Sequence, residues 1–166
     1  MRKKIVLFLL CMVVCVANAQ QTVTKTSHKK AVKTDVVTTG TLTIRKPDYI
    51  CIATDGGKDL LIMEGTKFTM TMGGKKHTTD SRKNMQFATF HEVLKAVING
   101  QPIPANEDLK VSSSNGQKTI TITPNGKKKK RQLFSSFVLV VDSKTSAFHM
   151  LRMNGRNEDY TEYTFK

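Results

Sequence analysis

Apolar residues return at every second position through most of this chain, and at helical spacing only once. Gly40 opens the first clear alternation: Leu42 and Ile44 point one way, Thr41, Thr43 and Arg45 the other, until Pro47 stops the pattern. Tyr49 to Thr54 predicts a second strand, with Ile50 and Ile52 opposed to Tyr49, Cys51 and Ala53, and Asp55-Gly56-Gly57 turns the chain. Leu60 to Met63 follows, closed by Glu64-Gly65. Phe68, Met70 and Met72 then face away from Lys67, Thr69 and Thr71, the cleanest alternation in the chain, and Gly73-Gly74 ends it. Lys75 to Lys83 reads as a polar link. From Asn84 to Ile98 the period changes: Phe87, Phe90, Leu94, Val97 and Ile98 recur at helical spacing, and Asn99-Gly100 supplies the stop signal. Strand spacing resumes beyond Pro104, with Leu109 and Val111, an Asn115-Gly116 hairpin turn, and Ile120 and Ile122. Leu133 to Val141 is apolar on both faces and predicts a strand covered above and below. Ala147 to Met153 and Tyr160 to Phe165 close the series.

Strands at this spacing, joined by hairpin turns, predict a mainly β (α+β) fold: an open antiparallel half-barrel of about eight or nine strands with one covering helix. Residues 39–166 form a single domain in this reading. Residues 20–38 are polar, rich in Thr and Lys, and read as a flexible lead-in that joins the first strand near Val36.

The start of the chain places it outside the cytoplasm. Arg2, Lys3 and Lys4 precede an apolar run from Ile5 to Val16, and Ala17-Asn18-Ala19 matches a small–x–small cleavage site. Residues 1–19 thus read as a cleaved signal peptide, too short in its apolar part to span a bilayer. Cys11 follows Leu10 and Cys15 follows Val14, both inside the apolar run, so neither has the small preceding residue of a lipidated cysteine. Cys51 is then the sole cysteine of the exported chain, which must rely on its apolar core. Cys51 itself reads either as a small buried apolar residue or as a reactive thiol.

Charge narrows the partners. Without Arg2, Lys3 and Lys4, the 27 basic residues fall to 24 against 13 acidic ones, a net charge of +11. Such a field favours anionic lipid or acidic protein, and an exported chain seldom meets nucleic acid. The densest run is Lys127, Lys128, Lys129, Lys130 and Arg131, after Pro124-Asn125-Gly126. It reads as a solvated hairpin tip or as a docking site for an acidic partner or membrane.

Three segments together resemble the LolA-type periplasmic carriers of outer-membrane lipoproteins. They are Gly40-Thr-Leu-Thr-Ile-Arg-Lys-Pro47, Leu61-Ile-Met-Glu-Gly-Thr-Lys-Phe68, and Phe137-Val-Leu-Val-Val-Asp-Ser-Lys-Thr145 with Leu151-Arg-Met153 and Asp159-Tyr-Thr-Glu-Tyr-Thr-Phe165. They keep the family's order and span 40–165. The resemblance implies an unclosed β-barrel whose apolar concave face, lidded by helices, holds acyl chains during their crossing of the periplasm. Each methylene hidden from water is worth about 0.8 kcal/mol, so such chains need a carrier.

The lining implied by the resemblance is Leu42, Ile44, Phe68, Met70, Met72, Ile120, Ile122, Leu139 and Val141 from the strands. Phe87, Phe90, Leu94 and Ile98 face them from the helix. Six of the eight methionines lie beyond the leader, and thioethers adapt to varied chains. A dry core would carry the same pattern. In the family a basic residue before the strand-ending proline latches the lid; here Lys46 holds that position, Arg45 precedes it, and either could serve. The family's N-terminal amphipathic helix has no clear counterpart in 20–36.

The implied partners are acylated lipoproteins or lipid, an inner-membrane lipoprotein-releasing complex and an outer-membrane acceptor, with the protein a monomer. The alternative is a non-enzymatic envelope adaptor that binds an acidic protein or anionic membrane through its basic face. No catalytic motif, cofactor or metal site is expected. His28, His77, His91 and His149 are scattered, Asp55 and Asp59 lack the acidic company of a calcium loop, and His91-Glu92 reads as helix surface.

Overall fold

The computed structural model describes residues 19–32, 34–123 and 133–166. Residues 1–18 of the expected signal peptide, and Pro124–Gly126 with the Lys127–Arg131 run expected at a hairpin tip or docking site, lie outside the described residues.

Eleven strands form one sheet, every neighbouring pair antiparallel. In chain order they are β1 (Ala19–His28), β2 (Val36–Arg45), β3 (Tyr49–Thr54), β4 (Asp59–Glu64), β5 (Lys67–Met72) and β6 (Lys75–Asp80). The helix α1 (Met85–Ile98) follows, then β7 (Leu109–Ser114), β8 (Gln117–Ile122), β9 (Ser136–Asp142), β10 (Phe148–Asn154) and β11 (Tyr160–Phe165). The order across the sheet is β6-β5-β4-β3-β2-β1-β11-β10-β9-β8-β7. The first and last strands pair at its centre, and the two edges are the strands that flank α1 in sequence. The chain therefore leaves the sheet at one edge, builds the helix, and re-enters at the other.

The sheet is strongly curled. β5 and β9 stand seven strand steps apart, roughly 34 Å along the sheet at about 4.8 Å per step. Yet Phe90 of α1 stacks on Phe137 of β9 with ring centroids 4.4 Å apart, and meets Phe68 of β5 edge-on at 5.6 Å. Only a sheet wrapped around the helix allows both contacts. Strand twist supplies part of the curl. Gly40 supplies a corner, because an added Cβ there would overlap the carbonyl oxygen of Ala53. The helix ends where its sequence says it should: Gly100 takes φ 62°, and Gln101 N–H and Gly100 N–H bond to Ala96 O and Val97 O. The Asn115-Gly116 turn also forms, with φ of 51° and 74°.

The structure departs from the sequence reading in three places. Residues 20–38 are not a flexible lead-in: Ala19–His28 is a full strand, paired with β2 and β11 near the centre of the sheet. Its alternation was hidden because Lys25 takes an inward position beside Val23, and is 4 % exposed. Among the described residues the strand count is eleven, not eight or nine. The second unforeseen strand is β6, which lies along β5 at the sheet edge and is mostly exposed on both faces, so it carries no apolar signature. Finally, β9 is not covered on both sides. Phe137, Leu139 and Val141 are buried, but Val138 and Val140 are only half-buried.

Candidate functional site

The concave face is built from cross-strand rows that the register fixes. Leu42, Ile52, Leu61 and Met70 lie opposite one another across β2 to β5, and Ile44, Ile50, Met63 and Phe68 form the next row. On the other half, Ile120, Leu139, Leu151 and Tyr163 make one row across β8 to β11. Into this concavity α1 inserts its apolar face. Phe87, Phe90, Val93, Leu94, Val97 and Ile98 are buried, as are Thr89 and Ala96. Phe87 stacks on Phe68 at 4.7 Å and approaches Phe134 and Phe137 at 6.3 and 5.9 Å, which anchors the first half of the helix in an aromatic cluster.

Between the second half of α1 and the sheet there remains a cavity of ≈ 10 Å³, about room for one water. Leu42, Phe68 and Leu94 of the expected lining border it. The sequence reading missed Ile50, Ile52, Leu61, Met63, Phe148, Leu151 and Phe165, which complete it. Their signal was present, since Ile50 and Ile52 alternate as cleanly as Leu42 and Ile44; only the cross-strand register shows that these faces coincide. Met70, Phe87, Phe90, Ile98, Ile120, Ile122, Leu139 and Val141 are buried in the packed core around it, and Ile44 and Met72 pack at its margin.

Beside the apolar rows lies a buried polar group. Lys25 sits opposite Thr38 on one side and Tyr163 on the other. Its ammonium reaches Asp59 of β4 at 2.5 Å, with side chains only 5 % and 18 % exposed. Gly40 and Thr54 lie in register with Asp59 across β2 and β3. Burial pushes the Tyr163 hydroxyl well above the usual phenol range, and the negative charge of Asp59 adds to the shift.

The expected basic latch is not what touches the helix. Arg45 is exposed and lays its guanidinium over the Tyr49 ring, 3.8 Å from the centroid, and Lys46 is exposed. The contact between the β2–β3 turn and the helix end is made instead by Asn99, whose Nδ2 donates to Pro47 O at 2.7 Å and to Lys95 O at 2.8 Å. A second tie comes from the segment after the helix, where Asn106 Nδ2 donates to Thr89 Oγ1 at 3.1 Å. His91, expected on the surface, is half-buried, and its Nε2 is shielded without a hydrogen-bond partner among the described residues; Glu92 is exposed. Among the described residues no group of three or more His, Cys, Asp or Glu side chains could hold a metal ion, and no helix is long and apolar enough to cross a membrane.

No protein-family model matches the chain, and no curated protein matches it. Among solved structures it is similar to a LolA superfamily protein from Nitrosomonas europaea, at 7 % identity over 89 % of this chain and 83 % of that one, with a TM-score of 0.34. It is also similar to the lipoprotein LppX from Mycobacterium tuberculosis, at 9 % identity over 90 % and 86 % of the two chains (TM-score 0.33). A DUF1329 family protein from Desulfovibrio piger matches at 11 % identity over 89 % and 82 % (TM-score 0.39). The described residues form an eleven-stranded open sheet curled about one helix, the open half-barrel with a covering helix expected from the alternation of the sequence.

Proposed function

We propose that this protein is a non-enzymatic carrier. It holds the acyl chains of a lipoprotein or lipid against the concave face and ferries them through the periplasm towards the outer membrane. The observation that supports this most directly is an apolar concave face covered, among the described residues, by one helix in a sheet whose two edges stay unpaired. The cavity beside Leu94, ≈ 10 Å³, admits no acyl chain, and in this reading cargo reaches the concave face as α1 moves out. That exchange replaces one apolar cover by another and leaves the buried apolar area nearly constant, so its net cost stays small. The ties across the helix ends, Asn99 to Pro47 and Asn106 to Thr89, are hydrogen bonds worth about 1 kcal/mol each, weak enough to act as a latch. In this reading the signal is cleaved after Ala19, the protein is a monomer, and an inner-membrane releasing complex and an outer-membrane acceptor are its partners.

The packing of Phe87 and Phe90 of α1 against Phe68 and Phe137 favours a second reading, an envelope adaptor with a dry core that works through its basic surface. Native mass spectrometry of protein purified from the periplasm, followed by lipid extraction, separates the two. Co-purifying acylated lipoprotein or lipid at about one per chain is the carrier's signature. A clean apo mass, with no uptake when acylated lipoprotein is offered, leaves the adaptor.

A further inference from the structure

The Lys25–Asp59 pair stands where the concave face changes chemistry. Leu42, Ile52 and Leu61 form a buried apolar row across β2, β3 and β4. The next row on the same face is Gly40, Thr54 and Asp59, with no apolar side chain in it. Beyond it lie the exposed Asp55–Gly57 turn and the Gly73-Gly74 turn, where Gly73 N–H donates to the second carboxylate oxygen of Asp59 at 3.3 Å. β1 follows the same gradient, from buried Val23 through Lys25 to half-buried Ser27. An amphiphile with its chains on the apolar row would set its polar end against this pair.

The pair also has unused hydrogen-bonding capacity. Among the described residues Lys25 Nζ donates to Asp59 alone, which leaves the other protons of the ammonium uncommitted. Thr38 lies directly across from Lys25 on the same face, and its Oγ1 is shielded from solvent without a partner among the described residues. A buried polar atom in that state calls for a partner. The charges decide which one. An anion alone would draw Lys25 away and leave Asp59 unpaired, and a cation alone would strand Lys25. An uncharged head group replaces neither ion's partner. A zwitterion exchanges both partners at once: its phosphate accepts from Lys25 and the Thr38 hydroxyl, its amine donates to Asp59, and no charge is stranded.

We propose that Lys25, Thr38 and Asp59 bind the zwitterionic head group of a lipid, a phosphate bearing a primary amine, while its acyl chains lie along Leu42, Ile52 and Leu61. The proposal rests on the carrier reading and adds selectivity to it. Apolar contacts are non-directional and cannot tell lipids with the same chains apart, whereas a buried ion pair can.

Native mass spectrometry of the protein offered equal amounts of phosphatidylethanolamine, phosphatidylglycerol and diacylglycerol, all with the same short acyl chains, reads the selectivity directly. The parent should prefer phosphatidylethanolamine to each of the others by at least about tenfold. K25M/D59A, in which no charge is stranded, should still take up diacylglycerol and should lose the preference. Thr38→Val keeps the ion pair and removes the unpartnered hydroxyl, so the preference should fall about threefold to tenfold with no drop in melting temperature. A pair with a structural role alone predicts unchanged selectivity in both variants. A parent without preference, or a double variant as selective as the parent, overturns the proposal and leaves the carrier reading standing. Uptake of none of the three lipids by the parent overturns both. Equal uptake of phosphatidylethanolamine and phosphatidylglycerol overturns the zwitterion in favour of phosphate alone. Binding of chain-free glycerophosphoethanolamine as tight as that of the lipid overturns the lipid in favour of a free solute.

Discussion

Asp59→Ala should be among the most damaging single changes outside the apolar core, and more damaging than Lys25→Met. The Lys25 side chain is 5 % exposed and that of Asp59 18 %, so the two do not suffer equally when separated. Removing Asp59 strands an ammonium with no water to receive it, and breaking a buried pair in this way costs about 3–5 kcal/mol. A ceiling comes from proton loss, since an ordinary lysine gives up its proton at pH 7 for about 4.6 kcal/mol. Removing Lys25 instead leaves a carboxylate that still touches solvent, and the cost falls to about 1–2 kcal/mol. At about 2–4 °C per kcal/mol, Asp59→Ala should melt about 6–18 °C below the parent. The double variant K25M/D59A should recover to within about 1 kcal/mol of K25M, because no stranded charge remains. Urea denaturation of the four proteins at pH 7 measures all of this. A deficit for Asp59→Ala below that of Lys25→Met would refute a buried, desolvated ion pair.

Gly40→Ala should destabilise by about 1–3 kcal/mol or prevent folding, since its methyl would overlap the Ala53 carbonyl; circular dichroism and yield report it. Asn99→Ala removes the hydrogen bonds to Pro47 and Lys95, should cost about 1 kcal/mol in a thermal melt, and on the carrier reading should raise binding of a hydrophobic dye by the folded protein. Phe90→Ala should cost about 3–5 kcal/mol, because the ring is fully buried and joins the two halves of the sheet through Phe68 and Phe137. Backbone N–H groups of Thr145 and Lys144, with the Thr145 hydroxyl, hold the Asp142 carboxyl below its usual range. Its contribution is therefore complete above the ordinary carboxylate value and is lost as pH falls below it, so Asp142→Asn should flatten the acid limb of an unfolding curve.

The sequence alone determined the class of the fold. Two-residue alternation from Gly40 to Met72 and from Ile120 to Phe165, one helical stripe, and turn signals such as Asn99-Gly100 and Asn115-Gly116 are local properties, written in residues a few positions apart. They were enough for an open antiparallel sheet with one helix, and for the apolar character of Leu42, Phe68 and Leu94. Tertiary structure decided the rest, because the deciding contacts join distant residues. β1 is a strand through main-chain pairing with β2 and β11, and Asp59 of β4 pairs the inward Lys25 that breaks its apolar alternation. β6 is a strand through main-chain pairing with β5, and such pairing leaves no mark on side chains that face water. Whether the concave face is cavity or core rested on how tightly α1 fits the curled sheet. That fit depends on the volumes of side chains from both halves at once, and no segment of the sequence contains it.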